Sequence, residues 1–404
     1  MRAAALICAG VVSAASLCTP QGRVFLSVER DLTRKIPLAL SVAGDDRDAM
    51  GRLAGVIRQD LAFSGWFAPT VVPRQPQKFP SETEIVLAVT QAGAALEVSA
   101  YSPADTNALY SRTYPWPASD LRAAAHRIAD DAVAALTGRP GIACTRIAFT
   151  MKQETLRIGV VDYDGYGETT VAAPPGDCLS PSWFFGKDAL VFVCAQGGAS
   201  SVMTVELRTG TLRRLYAGAA VCGRPAVNPK WPELAVPLGF SGNPDIYRLG
   251  REGKELLRLT ISPVIDSSPC FSPDGERIAF VSDRSGSPQV YVMRRDGRDV
   301  RRVSFGVPHA SSPAWSPDGE VLAYAVRRRG GSGIFVRNMS SGAVRELAPD
   351  EVWLEEPSWA PDSRHLVCTA VREFRRNLCV VDSFTGERRM LLPDGERFSA
   401  AWSP

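Results

Sequence analysis

The sequence predicts a small α/β domain followed by an all-β six-bladed β-propeller closed by its own C-terminal strand. Three observations predict it. The stretch SSPCFSPDGERIAFVSD, residues 267–283, returns as SSPAWSPDGEVLAYAVR, residues 311–327, 44 residues later. The anchor proline of that phrase recurs at the same interval as Pro181, Pro225, Pro269, Pro313 and Pro357, and a last step of 43 reaches Ala400. Residues 21–140 lack this period and mix strand-like with helix-like patterns.

Each repeat reads as four strands. PAW is a short first strand, and SPDG is a turn in which proline fixes φ and glycine takes the final geometry. ERIAFVS and QVYVMRRDG alternate apolar and polar residues, the period of half-buried strands, and RRVSF completes the unit. Parallel β-helix coils are shorter than this, and a helical repeat needs a 3.6-residue period that is absent. Two residues after the anchors stand Trp183, Val227, Phe271, Trp315, Trp359 and Trp402, expected to pack between blades. The Pro225 unit departs, carrying NPKW where others carry SPDG.

The last anchor has no strands after it, whereas residues 145–174 match strands two to four of a unit without a first strand. FSAAWSP therefore completes the blade begun at Thr145, which removes the exposed edges an open ring would leave.

Ahead of the propeller, IPLALSVAG reads as a strand. DDRDAMGRLAGVIRQDLAFSG places Met50, Leu53, Val56, Ile57 and Leu61 on one helical face. SETEIVLAVTQAG, ALEVSAYS and ALYSRTYP read as strands. A second helix follows with Ser119 as N-cap, an apolar face of Leu121, Ala125, Ile128, Val133 and Leu136, and Gly138 as its stop. The boundaries are a signal peptide over 1–18, the α/β domain over 19–140 and the propeller over 141–404, with a hinge at Thr137–Gly141. MRAAALICAGVVSAAS has a basic start, a short apolar run and small residues, as secretory leaders do. Cys18 raises a lipoprotein alternative, but Leu17 stands where a small residue is wanted. The mature chain is expected to be soluble and exported.

Composition excludes several classes. A net charge of +3 with pI near 8.4 is too balanced for a nucleic-acid binder. The three histidines, His126, His309 and His365, fall at unrelated repeat phases, so no shared metal site is expected. No G-x-S-x-G elbow appears, GGSG at 330–333 precedes no helix, and Asp162 and Asp164 read as turn residues. The expectation is a protein that is not an enzyme, without cofactor or metal. Of the seven cysteines after the leader, Cys368 and Cys379 fall at apolar strand phases and read as core thiols. Cys178 and Cys222 each precede an anchor by three residues, and a bridge between them is one reading of an exported chain.

In a four-stranded blade the first strand lies by the axis. The loop into it and the loop between strands two and three share one face; the SPDG turns lie on the other. Asp266, Ser267, Ser268, His309, Ser311, Ser312, Glu355 and Glu356 are therefore expected to ring one mouth of the channel.

The chain resembles the TolB family, exported propellers of the Tol–Pal envelope system. The resemblance rests on RQDLAFSGWFAP, LTGRPGIACTRIAF, VVDYDGYGETTV and the terminal SAAWSP. It implies a monomeric binding protein that holds the peptidoglycan-associated lipoprotein Pal at the propeller mouth, supporting outer-membrane integrity and cell division. Carried over by position, Arg224, Ser267 and Ser268 precede anchor prolines and join the partner-binding set. The family also uses a flexible N-terminal segment toward TolA; QGRVFLSVERDLTRKIP occupies that place here. It would approach membranes through these partners alone. Coupling the two partners requires each to bind two interdomain states unequally. Two rivals are a propeller of the prolyl-oligopeptidase type and a stand-alone exported propeller binding a glycan or small ligand.

Overall fold

The computed structural model describes residues 33–73, 79–117, 119–172, 174–186, 188–219, 221–240, 242–347 and 353–404. The leader, Cys18 and the segment expected to face TolA up to residue 32 lie outside the described residues.

The N-terminal part is a five-stranded sheet carrying two helices. β1 (Ile36–Ala43) leads through α1 (Arg47–Phe63) to β2 (Phe67–Val72), and β3 (Ile85–Ala92), β4 (Ala95–Ser102) and β5 (Asp105–Pro115) precede α2 (Leu121–Thr137). The sheet order is β2-β1-β3-β4-β5. β1 pairs in parallel with both β2 and β3, and α1 is the crossover from β1 to β2; β3, β4 and β5 are antiparallel. Leu53, Ile57 and Leu61 of α1 are fully buried with Ala125, Ile128 and Leu136 of α2, each large side chain contributing about 1.5–3 kcal/mol. Sequence reading missed β2, whose FAPTVV lacks alternation. It also misplaced one cap. Asp120, not Ser119, accepts the Ala123 N–H at the start of α2. Gly138 does end α2, with φ of 71°.

The segment after α2 is strapped down. The Asp130 carboxylate accepts the N–H groups of Ala143 (2.7 Å) and Cys144 (2.8 Å). Gly141 passes so close that a Cβ there would sit 2.2 Å from Asp130 Oδ1 and 2.5 Å from its Cα. Gly141→Ala is therefore expected to destabilise the chain by about 1–3 kcal/mol, read as a lowered melting temperature; an unchanged melt would show that the strap yields.

Six blades follow, each here named by its anchor. Five are antiparallel in chain order, as in the Pro269 blade: Asp266–Phe271, Arg277–Ser282, Gln289–Arg294 and Arg301–Arg302 from axis to rim. The sixth is built from both ends of the propeller. Arg397–Trp402 pairs with Arg146–Lys152, which continues through Leu156–Asp162 to Thr169–Ala172. Ser403 N–H donates to the Arg146 carbonyl (2.8 Å), Arg146 N–H donates to Ser403 Oγ (3.0 Å), and Trp402 Nε1 donates to Thr145 Oγ1 (2.7 Å). Arg397 and Glu168 form a bidentate pair at 2.6 and 2.7 Å. The SPDG turns close as the sequence requires: Gly275 and Gly319 have φ of 74° and 78°, with their N–H groups on the Ser272 and Ser316 carbonyls. In the Pro225 blade Asn228 replaces that serine, its Oδ1 accepting from the Lys230 and Trp231 N–H groups.

The tryptophans pack between blades as expected. Trp183 Nε1 donates to the Ala401 carbonyl (2.9 Å) and Trp359 Nε1 to the Ala314 carbonyl (3.0 Å), each in the preceding blade.

The α/β domain docks on the face of the SPDG turns. Arg139 meets Asp318 (3.5 Å), Lys35 meets Glu387 (3.0 Å) and Arg122 meets Asp164 (2.5 Å). The centre of the seam is ionisable and buried. Asp60 of α1 bonds His126 Nδ1 of α2 (2.7 Å) and accepts from the hydroxyl of Tyr163, the first tyrosine of the DYDGYG phrase. Burial pushes the Tyr163 phenol pKa up, and the Asp60 charge and hydrogen bond add to it. Arg364, fully buried, donates from Nε and Nη2 to Asp382 Oδ2 (2.9 and 2.7 Å). Its guanidinium stacks over Trp66 of the α/β domain (4.7 Å) and Phe384 of the propeller (5.0 Å).

Candidate functional site: the open mouth of the propeller

With one face covered, the loops entering the first strands and those joining strands two and three face outward on the other. There the backbone departs from regular strand. Ser180, Ser268, Ser312, Glu356 and Ser399, each just before an anchor position, have φ of 49–56°. At all five the ladder slips, between Leu179 and Ser182, Ser267 and Cys270, Ser311 and Ala314, Glu355 and Ser358, and Phe398 and Ala401. These are bulges whose left-handed residue costs about 1–3 kcal/mol for a side chain other than glycine. Arg224 occupies the equivalent place without positive φ, because the first strand of its blade is broken into Val221–Cys222 and Ala226–Val227.

Four of the five bulged residues, all but Ser399, line the channel, a cavity of about 850 Å³. Ser180, Arg224, Ser268, Ser312 and Glu356 edge it above the prolines Pro225, Pro269, Pro313 and Pro357. Arg224 crosses toward the closing strand, where Nη2 donates to the Ala400 carbonyl (2.7 Å) and Nε to Ser182 Oγ (3.4 Å). Burial depresses its pKa, and the Glu356 charge partly restores it. Glu356 is held by Thr369 Oγ1 (2.8 Å), Ser399 N–H (2.9 Å) and Ser399 Oγ (2.8 Å).

Of the nine residues named from the sequence, the structure brings Arg224, Ser268, Ser312 and Glu356 together around this cavity. Ser267 and Ser311 sit in the ladder opposite Val281 and Ala325, and Glu355 accepts from Ser332 Oγ (3.1 Å). His309 is half-buried outside the cavity. Asp266 lies fully buried beneath the mouth, with Arg284 Nη2 at 3.0 and 3.2 Å from its two oxygens. It holds the loop rather than presenting a carboxylate. Sequence reading missed Ser180, although Ser180 shares the repeat phase of Ser268 and Ser312.

The same face carries exposed apolar side chains on its loops. Phe374 is 97% exposed, Ile261 84% and Phe305 60%, with Phe240, Ile265 and Trp353 also exposed. Such clustering around a polar pit is the composition of a protein-docking surface.

Comparison with known proteins agrees with this architecture. The Tol-Pal system protein TolB of Legionella pneumophila (strain Corby) is 30% identical over 215 residues, 49% of this chain and 51% of that protein. That of Francisella tularensis subsp. mediasiatica (strain FSC147) is 30% identical over 178 residues, 41% of each. The chain spans about half the length of the curated relatives it matches. The crystal structure of TolB from Acinetobacter baumannii shares the fold with a TM-score of 0.81 at 24% identity, covering 92% of this chain and 97% of that one. A profile of the TolB beta propeller domain matches residues 133–404. That span takes in every blade and the closing strand, so the chain belongs to the TolB β-propeller family.

Proposed function

We propose that this chain is the periplasmic Pal-binding component of a Tol–Pal envelope system, acting by binding and not by catalysis. It would support outer-membrane integrity and cell division, with TolA engaged through the N-terminal segment. Family membership supports the system, and the relatives' names place them in it. The observation that carries the binding face is the open mouth, where a strained polar ring is set within exposed Phe240, Ile261, Phe305 and Phe374 while the α/β domain covers the opposite side. Strain of this kind persists where the surroundings impose it, and it clusters at binding sites.

The test is capture of Pal from envelope extract by the wild-type chain, Ser268→Arg and Glu356→Arg. Ser268→Arg is the cleaner variant, because Glu356 also holds Ser399. A central interface residue replaced by a bulky charge should weaken binding at least about 30-fold, with an unchanged circular dichroism spectrum. Equal recovery of Pal by folded Ser268→Arg would move the interface elsewhere. Recovery of no Pal by wild type would remove the Pal assignment.

A further inference from the structure

Cys178 and Cys194 stand directly opposite one another on the first two strands of the Pro181 blade, and their sulfurs lie 3.1 Å apart. Directly opposed Cα atoms of an antiparallel pair are about 4.5–5.5 Å apart, inside the span of about 4.4–6.8 Å that a disulfide bridges. The sequence pointed Cys178 toward Cys222 of the next blade; the structure turns it instead to a partner within its own blade. Both side chains are buried among Leu190, Phe192 and Val205. The other opposed pair differs. Cys368 and Cys379 share a register position, but Cys379 Sγ lies toward the Val380 carbonyl (3.7 Å).

We propose that Cys178 and Cys194 form a structural disulfide that staples the first two strands of the Pro181 blade, the neighbour of the closing blade. The oxidising compartment it needs rests on the periplasmic reading above. The oxidant is a protein or glutathione disulfide. One chain thiol loses its proton and attacks the oxidant's disulfide, expelling one oxidant thiolate and leaving a mixed disulfide. The second chain thiolate attacks the chain sulfur of that mixed disulfide and expels the other oxidant thiolate. The chain pair gives up two electrons and two protons, and the oxidant's disulfide becomes two thiols. Burial pushes the Cys178 thiol pKa up, so in the closed blade little thiolate exists to react. The bond therefore forms while the chain is folding, before the blade closes, and afterwards it is shielded from reductants.

The test refolds the full chain from denaturant in a mixture of reduced and oxidised glutathione, alkylates it without reduction, and maps tryptic peptides. Peptides 158–187 and 188–208, which carry Cys178 and Cys194, should appear joined and two hydrogens lighter than the separate thiol forms. In Cys194→Ser, Cys178 should become alkylated. Reduction in denaturant followed by refolding without oxidant should lower the melting temperature by about 5–10 °C. Alkylation of both cysteines in the refolded chain, or a joined pair through Cys222, Cys368 or Cys379, overturns the pairing. A second sample is isolated from the cell envelope compartment. A joined pair after refolding with free thiols in that sample leaves the pairing standing and counts against the periplasmic reading.

Discussion

Arg364→Ala should lower the unfolding free energy by about 3–5 kcal/mol at neutral pH and loosen the α/β domain from the propeller. The side chain is fully buried, and it joins Asp382 to two aromatic rings, one from each domain. Its loss strands a carboxylate that is itself 4% exposed. Burial raises the pKa of Asp382, but the hydrogen bonds and charge of Arg364 outweigh it and hold the carboxyl below its ordinary value. A folded pKa below the unfolded one stabilises the native state above about pH 4 and ceases to do so as pH falls through the folded value. Without Arg364, burial is still opposed by the Phe384 and Thr385 N–H groups, but the carboxyl pKa rises relative to wild type. The variant should therefore be weakest at neutral pH, and the gap to wild type should narrow in acid. Thermal melts at pH 7 and about pH 3.5 read this directly. An equal gap at both would show that lost packing against Trp66 and Phe384, not the stranded charge, accounts for the change.

A stop codon at position 397 should abolish cooperative folding of the propeller. The truncation removes Trp402 from the cluster containing Phe149, Val161 and Tyr163. It also unpairs Glu168, takes Ser399 from Glu356 and removes the Ala400 carbonyl from Arg224. The inner edge of Arg146–Lys152 is then left without its ladder partner, an exposed strand edge of the kind that aggregates. Trp402→Ala in the complete chain isolates the packing contribution, with about 3–5 kcal/mol expected for a buried aromatic. Denaturant melts and size-exclusion chromatography measure both. A truncated chain that stays monomeric and unfolds in a single sharp transition would mean five blades suffice.

The propeller was legible because each blade repeats one solution to the same packing problem. A 44-residue period fixes anchors, turns and the closing strand together, and the departure at NPKW was visible as a departure. Helix faces such as Leu53, Ile57 and Leu61 were legible for a similar reason, since periodicity reports burial. The domain seam was not. Asp60, His126 and Arg364 are polar residues on otherwise ordinary elements, and their burial follows from docking that no local pattern encodes. The channel ring was read by phase, which places residues around the axis but does not give their depth. Asp266 and Ser268 are two residues apart, yet one is sealed beneath Arg284 and the other faces the cavity. The bulge separates them, and no residue of SSP announces it.

The first strand of the Pro357 blade, Trp353–Trp359, begins at the open mouth, bulges at Glu356 and leads into the turn that carries Arg364. The same blade thus supplies a lining residue to the mouth and a buried residue to the domain seam. If a mouth ligand binds one setting of that seam more tightly than another, thermodynamic reciprocity requires that setting to bind the ligand more tightly in turn.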